Sequence, residues 1–285
     1  MVKMCFSETD RKRIMGALFM CATSVELSDE VQRELMVLFD SLHGTPGACR
    51  AKMESFKERE GFMDKKYELT GEPLLYGGVK LHRIRAVRDF TLCNGATVRA
   101  GELGGWLEND GNLSHLGSAW VCGDAMVYGS AMVCGDAMVS GDARVCGSAR
   151  VTSSAMVCGS ARVSGSAWVY GFARVYGDAW VCGDARVSGS AMVCGDAMVS
   201  GDAVLRGGVK VKKTTDYVLA GPAGSRAAVT TFVPGDDMVF CGCFSGTLEE
   251  FAARVEETHE GQALFLSQYR SMVQFFRWMR ETQNV

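Results

Sequence analysis

The chain has 285 residues, 47% of them hydrophobic, which places it among globular proteins with room for two or three units. A formal net charge of −3 leaves no electrostatic footprint for nucleic acid, and no apolar stretch reaches the roughly 18 residues that a membrane span needs. The 12 Cys would suit a secreted disulfide framework, but no apolar signal segment follows Met1, so the expectation is a cytoplasmic chain with free thiols.

Residues 1–64 read as a helical N-terminal domain. Ser7-Glu8-Thr9-Asp10 can cap a helix through Arg13, Leu18 and Met20, and Ser28-Asp29-Glu30 can cap a second one. Val31, Leu35, Leu38, Phe39 and Leu42 give that second helix an apolar face. Arg11, Lys12 and Arg13 could take phosphate, although a short basic run on a helix usually faces water.

Residues 65–116 are expected to form a β cap. From Val79 to Phe90 apolar and basic residues alternate as in a strand. Ala96-Thr97-Val98 reads as an early solenoid side, out of register with the array that follows. Arg83, Arg85 and Arg88 on this stretch are candidate phosphate receptors.

Residues 117–211 carry the dominant pattern. Ala recurs at every sixth residue from Ala119 to Ala203, and Val recurs two places after it from Val121 to Val199. Residues two apart in an extended segment share a face, so Ala and Val point inward while the Met, Arg or Trp between them points outward. The Gly-Asp or Gly-Ser that follows can take a sharp corner, since Gly tolerates positive φ and Asp or Ser can hydrogen-bond its own backbone. Each hexapeptide is therefore one strand and one corner, and three hexapeptides close a triangular coil. Self-similarity at this period predicts a left-handed parallel β-helix of about five coils.

Because every third hexapeptide returns to the same side, the outward slots stack into three columns. One contains Trp120, Met138, Met156, Arg174 and Met192, an apolar strip that marks an interface or a groove filled by the chain's own flanking segments. The other two, Met126, Arg144, Arg162, Trp180, Met198 and Met132, Arg150, Trp168, Arg186, Val204, are mixed. Cys122, Cys134, Cys146, Cys158, Cys182 and Cys194 share a slot that also accepts Ser and Tyr, so no metal is expected there.

Residues 212–285 read as an α+β C-terminal domain. Asp216 to Ala220 and Ala227 to Phe232 form a hairpin with Met238-Val239-Phe240 as third strand, and Thr247-Leu248-Glu249-Glu250 is a capping box for a helix. A second helix runs from about Gln262 to Arg280. Cys241, Cys243 and His259 could converge on a metal or act as thiols, but three ligands without a fourth make small-residue packing the better reading.

Leu81 through Phe90, Gly104-Gly105-Trp106-Leu107-Glu108, Asn112-Leu113-Ser114, the Gly-Asp-Ala-x-Val array and Cys241-Gly242-Cys243-Phe244 occur in that order. With Gly246 through Phe251 they resemble a family of hexapeptide-repeat proteins common in bacteriophage and prophage genomes, over roughly residues 67–260. The resemblance implies a β-helix of phage or bacterial origin and carries no activity to transfer.

The same prism builds lipid-A-type acyltransferases, which need a general-base His on the coils, and gamma-type carbonic anhydrases, which need three His on zinc. The four His are His43, His82, His115 and His259, none of them between Gly117 and Val211. The reading is a non-enzymatic scaffold without cofactor or metal: a homo-oligomer, trimer favoured, that binds a host or phage protein and neither nucleic acid nor membrane. The alternatives are a divergent acyltransferase using His115, and a binder that sequesters a nucleotide signal on the three arginines.

Overall fold

The structure, a computed structural model, describes residues 65–283. The chain divides into two compact units, Met1–Asp64 and Lys65–Val285. The helices expected within 1–64, and Arg11, Lys12, Arg13 and His43, lie outside the described residues.

The second unit is mainly β, built around a parallel β-solenoid. Strands β1 (Tyr67–Leu69), β2 (Leu74–Tyr76), β3 (Val79–Ala86), β4 (Phe90–Thr91), β5 (Thr97–Val98) and β6 (Leu103–Leu107) precede the array. Sixteen two-residue strands follow at six-residue intervals, from β7 (Trp120–Val121) to β22 (Lys210–Val211). They fall on three faces, of which two are sheets of six and five strands. The third face continues the array through β6 and β3 to β1. The six-stranded face gives the solenoid about six turns, slightly more than the pattern alone suggested. Each strand pairs in parallel with the strand one coil further on, as in Arg144↔Arg162 and Val145↔Val163.

The inward and outward assignment follows the sequence pattern throughout. Every Ala of the period from Ala119 to Ala203 and every Val from Val121 to Val199 is fully buried or within 1% of it, and Leu205 takes the inward slot in the last turn. Small Ala beside branched Val fills a narrow interior with no polar atom to satisfy. Backbone amides then bond from coil to coil, Arg144 to the Ala161 carbonyl at 2.9 Å and Cys146 to that of Val163 at 2.9 Å.

The corners show why glycine is required. Gly165 has φ +70°, and a Cβ there would stand 2.8 Å from the Gly183 nitrogen of the next coil. Ser153 is the exception in this slot, held at φ 58°. The sharp turn onto the next face and the close stacking of coils together exclude a larger residue at most of these positions.

Both ends of the array are sealed by side chains. At the first turn Asn112 Nδ2 donates to the carbonyls of Gly129 (3.0 Å) and Ala131 (2.8 Å), and Glu108 accepts from the Gly129 amide at 2.6 Å. At the last turn Thr231 accepts from the Val204 amide (2.9 Å) and Asp236 from that of Lys210 (2.9 Å), while Val233 and Phe240 join the solenoid core. Open strand edges would otherwise recruit other chains.

Two expectations need correction. Ala96-Thr97-Val98 is not a solenoid side: β5 pairs antiparallel with β4, Phe90 opposite Val98, so this segment is a hairpin laid against the first coil. The C-terminal sheet has four strands, β23 (Val218–Ala223), β24 (Ala228–Val233), β25 (Met238–Cys241) and β26 (Phe244–Thr247), one more than the sequence suggested. Helix α1 (Leu248–Thr258) starts at the expected capping box, with the Glu250 amide donating to Thr247 Oγ1 at 3.3 Å and the Thr247 amide to Glu250 Oε2 at 2.8 Å. Helix α2 spans Ala263–Gln283. Phe232 of β24, Phe251 and Val255 of α1, and Phe276 of α2 form a separate small core.

Fully buried Ala161 and Val163 flank exposed Arg162. We expect Ala161→Leu to cost about 1 to 3 kcal/mol by overpacking and Val163→Asp more, by burying a charge, whereas Arg162→Ala stays within about 0.5 kcal/mol. Urea denaturation of the three variants checks this; equal losses at all three positions would show the register to be wrong.

Candidate functional site

The outward columns stack as the period requires, with Trp120, Met138, Met156, Arg174 and Met192 in one hydrogen-bonded row. They are not equally open. Trp120 is 1% exposed and Met138 9%, because the hairpin before the array lies over them. Phe90 meets the Trp120 ring edge-on at 5.2 Å, Tyr67 at 6.3 Å, and Asn94 reaches the Met138 sulfur at 3.7 Å. The first two members of the strip are thus covered by the chain itself and cannot serve an interface, while Met156 and Met192 are half-buried and Arg174 is exposed.

The other columns carry the exposed aromatic surface. Trp168 and Trp180 are 38% and 40% exposed, each indole N–H held by a hydroxyl of the preceding coil, Thr152 at 3.3 Å and Ser164 at 3.0 Å. Arg144 is stacked on Tyr76 at 5.1 Å. Phe172 is 69% exposed at a corner. It stands in the slot that holds Asp or Ser at every other corner from Ser118 to Asp202, and this break in the pattern was readable from the sequence.

The three arginines of the β cap do not form a vacant anion site. Arg83 is bonded to Asp124 and to the Gly123 carbonyl, both at 3.3 Å, and lies over Trp106 at 5.2 Å. Arg85 is paired with Glu68 at 3.2 Å. A phosphate would compete with a carboxylate at both positions. Arg88 sits near the Lys66 ammonium and opposes its charge.

His115 lies at the opening of the array with both ring nitrogens engaged. Nδ1 accepts from the Lys66 amide at 3.2 Å, which leaves Nε2–H to donate to Asp110 at 3.1 Å, and the ring stacks on Tyr67 at 4.3 Å. A base needs a free lone pair aimed at substrate; here it is spent on the backbone. The same cluster holds a group that patterning did not signal, the fully buried Lys66, whose Nζ donates to the Ala119 carbonyl at 2.6 Å.

Burial, reinforced by Arg88 and opposed by Asp136, brings the Lys66 pKa down to about 8. Between about pH 8 and the unfolded value near 10.5 the unfolded chain holds a proton that the folded one lacks, so this residue makes folding more favourable as pH rises. We expect the stability of the wild type relative to Lys66→Met to increase from pH 8 to 10, measured by paired denaturant titrations. A constant difference would contradict the depressed pKa. Burial also drives the neighbouring Tyr67 phenol upward, and its hydroxyl donates between the Asp110 and Leu113 carbonyls, at 2.8 and 2.7 Å.

Cys241, Cys243 and His259 do line one cavity of about 700 Å³, with Phe244, Phe251 and Tyr269 as its apolar wall and Arg226 and Arg254 beside them. His259 stacks on Tyr269 at 5.0 Å, and burial followed by Cys241 pushes the Tyr269 hydroxyl up to about 12. Among the described residues no group of three or more His, Cys, Asp or Glu is placed to hold a metal ion. No helix there is long and apolar enough to cross a membrane.

A stack of three-strand turns, capped at both ends and carrying its variable side chains outward, defines a β-solenoid repeat protein. Residues 119–135 and 131–147 each match the family model described as the YdcK beta solenoid repeat. No curated protein matches the chain.

Proposed function

We propose that this chain is a non-enzymatic scaffold of phage or prophage origin, a left-handed hexapeptide β-helix that self-associates in the cytoplasm and binds a host or viral protein. The observation that carries the reading is the distribution of side chains on the rod. The interior of the array is Ala and Val, while the outward slots vary and expose Trp168, Trp180 and Met198, and one corner exposes Phe172. Aromatic residues, Met and Arg are the types enriched in protein interfaces. Against an acyltransferase stands His115, whose ring nitrogens are both occupied.

One observation favours a small-molecule binder instead. The cavity beside Tyr269 is lined by Arg226 and by Arg254, the latter paired with Glu257 at 3.1 Å, so Arg226 is the residue there that suits an anion.

Multi-angle light scattering of the full chain at micromolar concentration should report a mass above that of one 30.7 kDa chain. A single-chain mass would defeat the self-association part of the reading. Turnover of an acetyl donor would defeat the non-enzymatic part. Affinity capture from an infected host, compared with a chain altered on the rod surface, would identify the partner.

A further inference from the structure

The charges of the solenoid are sorted by position. Its three corners run the length of the rod as columns, one member per coil. The corner between the β7 and β8 (Met126–Val127) faces carries Asp142, Asp178 and Asp196, and the next carries Asp184 and Asp202, all exposed. The third corner carries Ser154, Phe172, Ser190 and Gly208, with no acid beyond Asp136. Flanking Phe172 are Arg150, Trp168 and Arg186 on one face and Arg174 on the other. Among the described residues the side chains of these three arginines form no hydrogen bond or ion pair, and neither do the carboxylates of the five aspartates.

Across the triangle from this basic, aromatic edge lies the face that holds Trp180 and Met198, 40% and 38% exposed. Trp180 and Met198 are bordered on one side by Asp178 and Asp196 and on the other by Asp184 and Asp202, and exposed Arg162 stands one coil before Trp180 in the same row. Phe172 and Trp180 belong to the same turn of the rod. From Trp180 to Met198 the face therefore complements the edge in charge and in apolar content, with Arg162 at the border of the matched area.

We propose that the Phe172 edge of one copy docks on the Trp180 face of a second copy, its arginines meeting the two aspartate rows. This rests on the self-association proposed above and names the surface that carries it. Edge and face are different surfaces on opposite sides of the prism, so the contact is heterologous: each copy offers one of each. The ion pairs fix orientation, and the aromatic centre supplies the buried area.

The repeat itself supplies a clean test. Phe172→Asp restores the residue type found at neighbouring corners, and the backbone N–H there bonds to the Gly189 carbonyl whatever the side chain. The fold is therefore retained, which a thermal melt verifies. A second variant, Asp178→Lys with Asp184→Lys, reverses the charge on the facing surface and leaves the edge intact. Light scattering should report the multi-chain mass for the wild type and one chain for each variant. Their equimolar mixture should give two chains, since each supplies the surface that the other lacks. If either folded variant keeps the wild-type mass, or the mixture stays monomeric, the surface is wrong while self-association stands. A monomeric wild type overturns both.

Discussion

Everything in this structure depends on a backbone ladder that can close only if the corner of each coil sits directly on the corner of the next. The glycine slot meets both demands, since a positive φ turns the chain and the missing Cβ lets Gly165 rest on Gly183. With the corners in place, amides and carbonyls of successive coils meet near 2.9 Å along three faces, and Ala and Val fill the space between them. The geometry is set by small residues, so the larger outward ones are free to vary. That freedom is what makes the surface informative about function and the core uninformative.

A ladder of this kind cannot end by itself. The non-repeat segments of the second unit supply what the first and last coils lack, through Asn112, Glu108, Thr231, Asp236 and the rings of Tyr67 and Phe90 packed on Trp120 of the first coil. This accounts for the polar residues with side chains bonded to coil amides and carbonyls, and for the position of His115. That histidine belongs to the closure of the rod, held by Lys66 and Asp110, and its place at the start of the array reflects this.

The rod was legible because its signal repeats: Ala and Val two apart, then a corner that is Gly in all but one case, over the fourteen strands β7 to β20. Single-copy segments carry no such averaging. In the hairpin of Phe90 and Val98, Ala-Thr-Val has the same local pattern as a solenoid side, and only the pairing partner distinguishes the two. Strand β26 was hidden by two glycines and a serine nearby. Lys66 was illegible in principle, since the second of two lysines before a strand reads as surface unless the aromatic lid over it is known. Among candidate contact residues, the column logic placed Met156, Met192 and Arg174 on the outside; it left open whether flanking segments cover the strip, and at Trp120 and Met138 they do. Phe172 was visible as a departure from its own repeat, a kind of signal that needs no comparison with other chains.

The coil-to-coil register, Arg144 on Arg162 and Val145 on Val163, also constrains how the rod can change length. Loss or gain of one hexapeptide would leave every inward Ala and Val inward, and the core would hardly register it. The C-terminal sheet and helices, however, would be carried a third of a turn around the axis, and every outward side chain beyond the break would move to the next face. Only a whole coil can be added or removed with the faces preserved. Duplication by single hexapeptides would thus be silent for packing and disruptive for recognition, so the lengths open to such a rod are set by its surface.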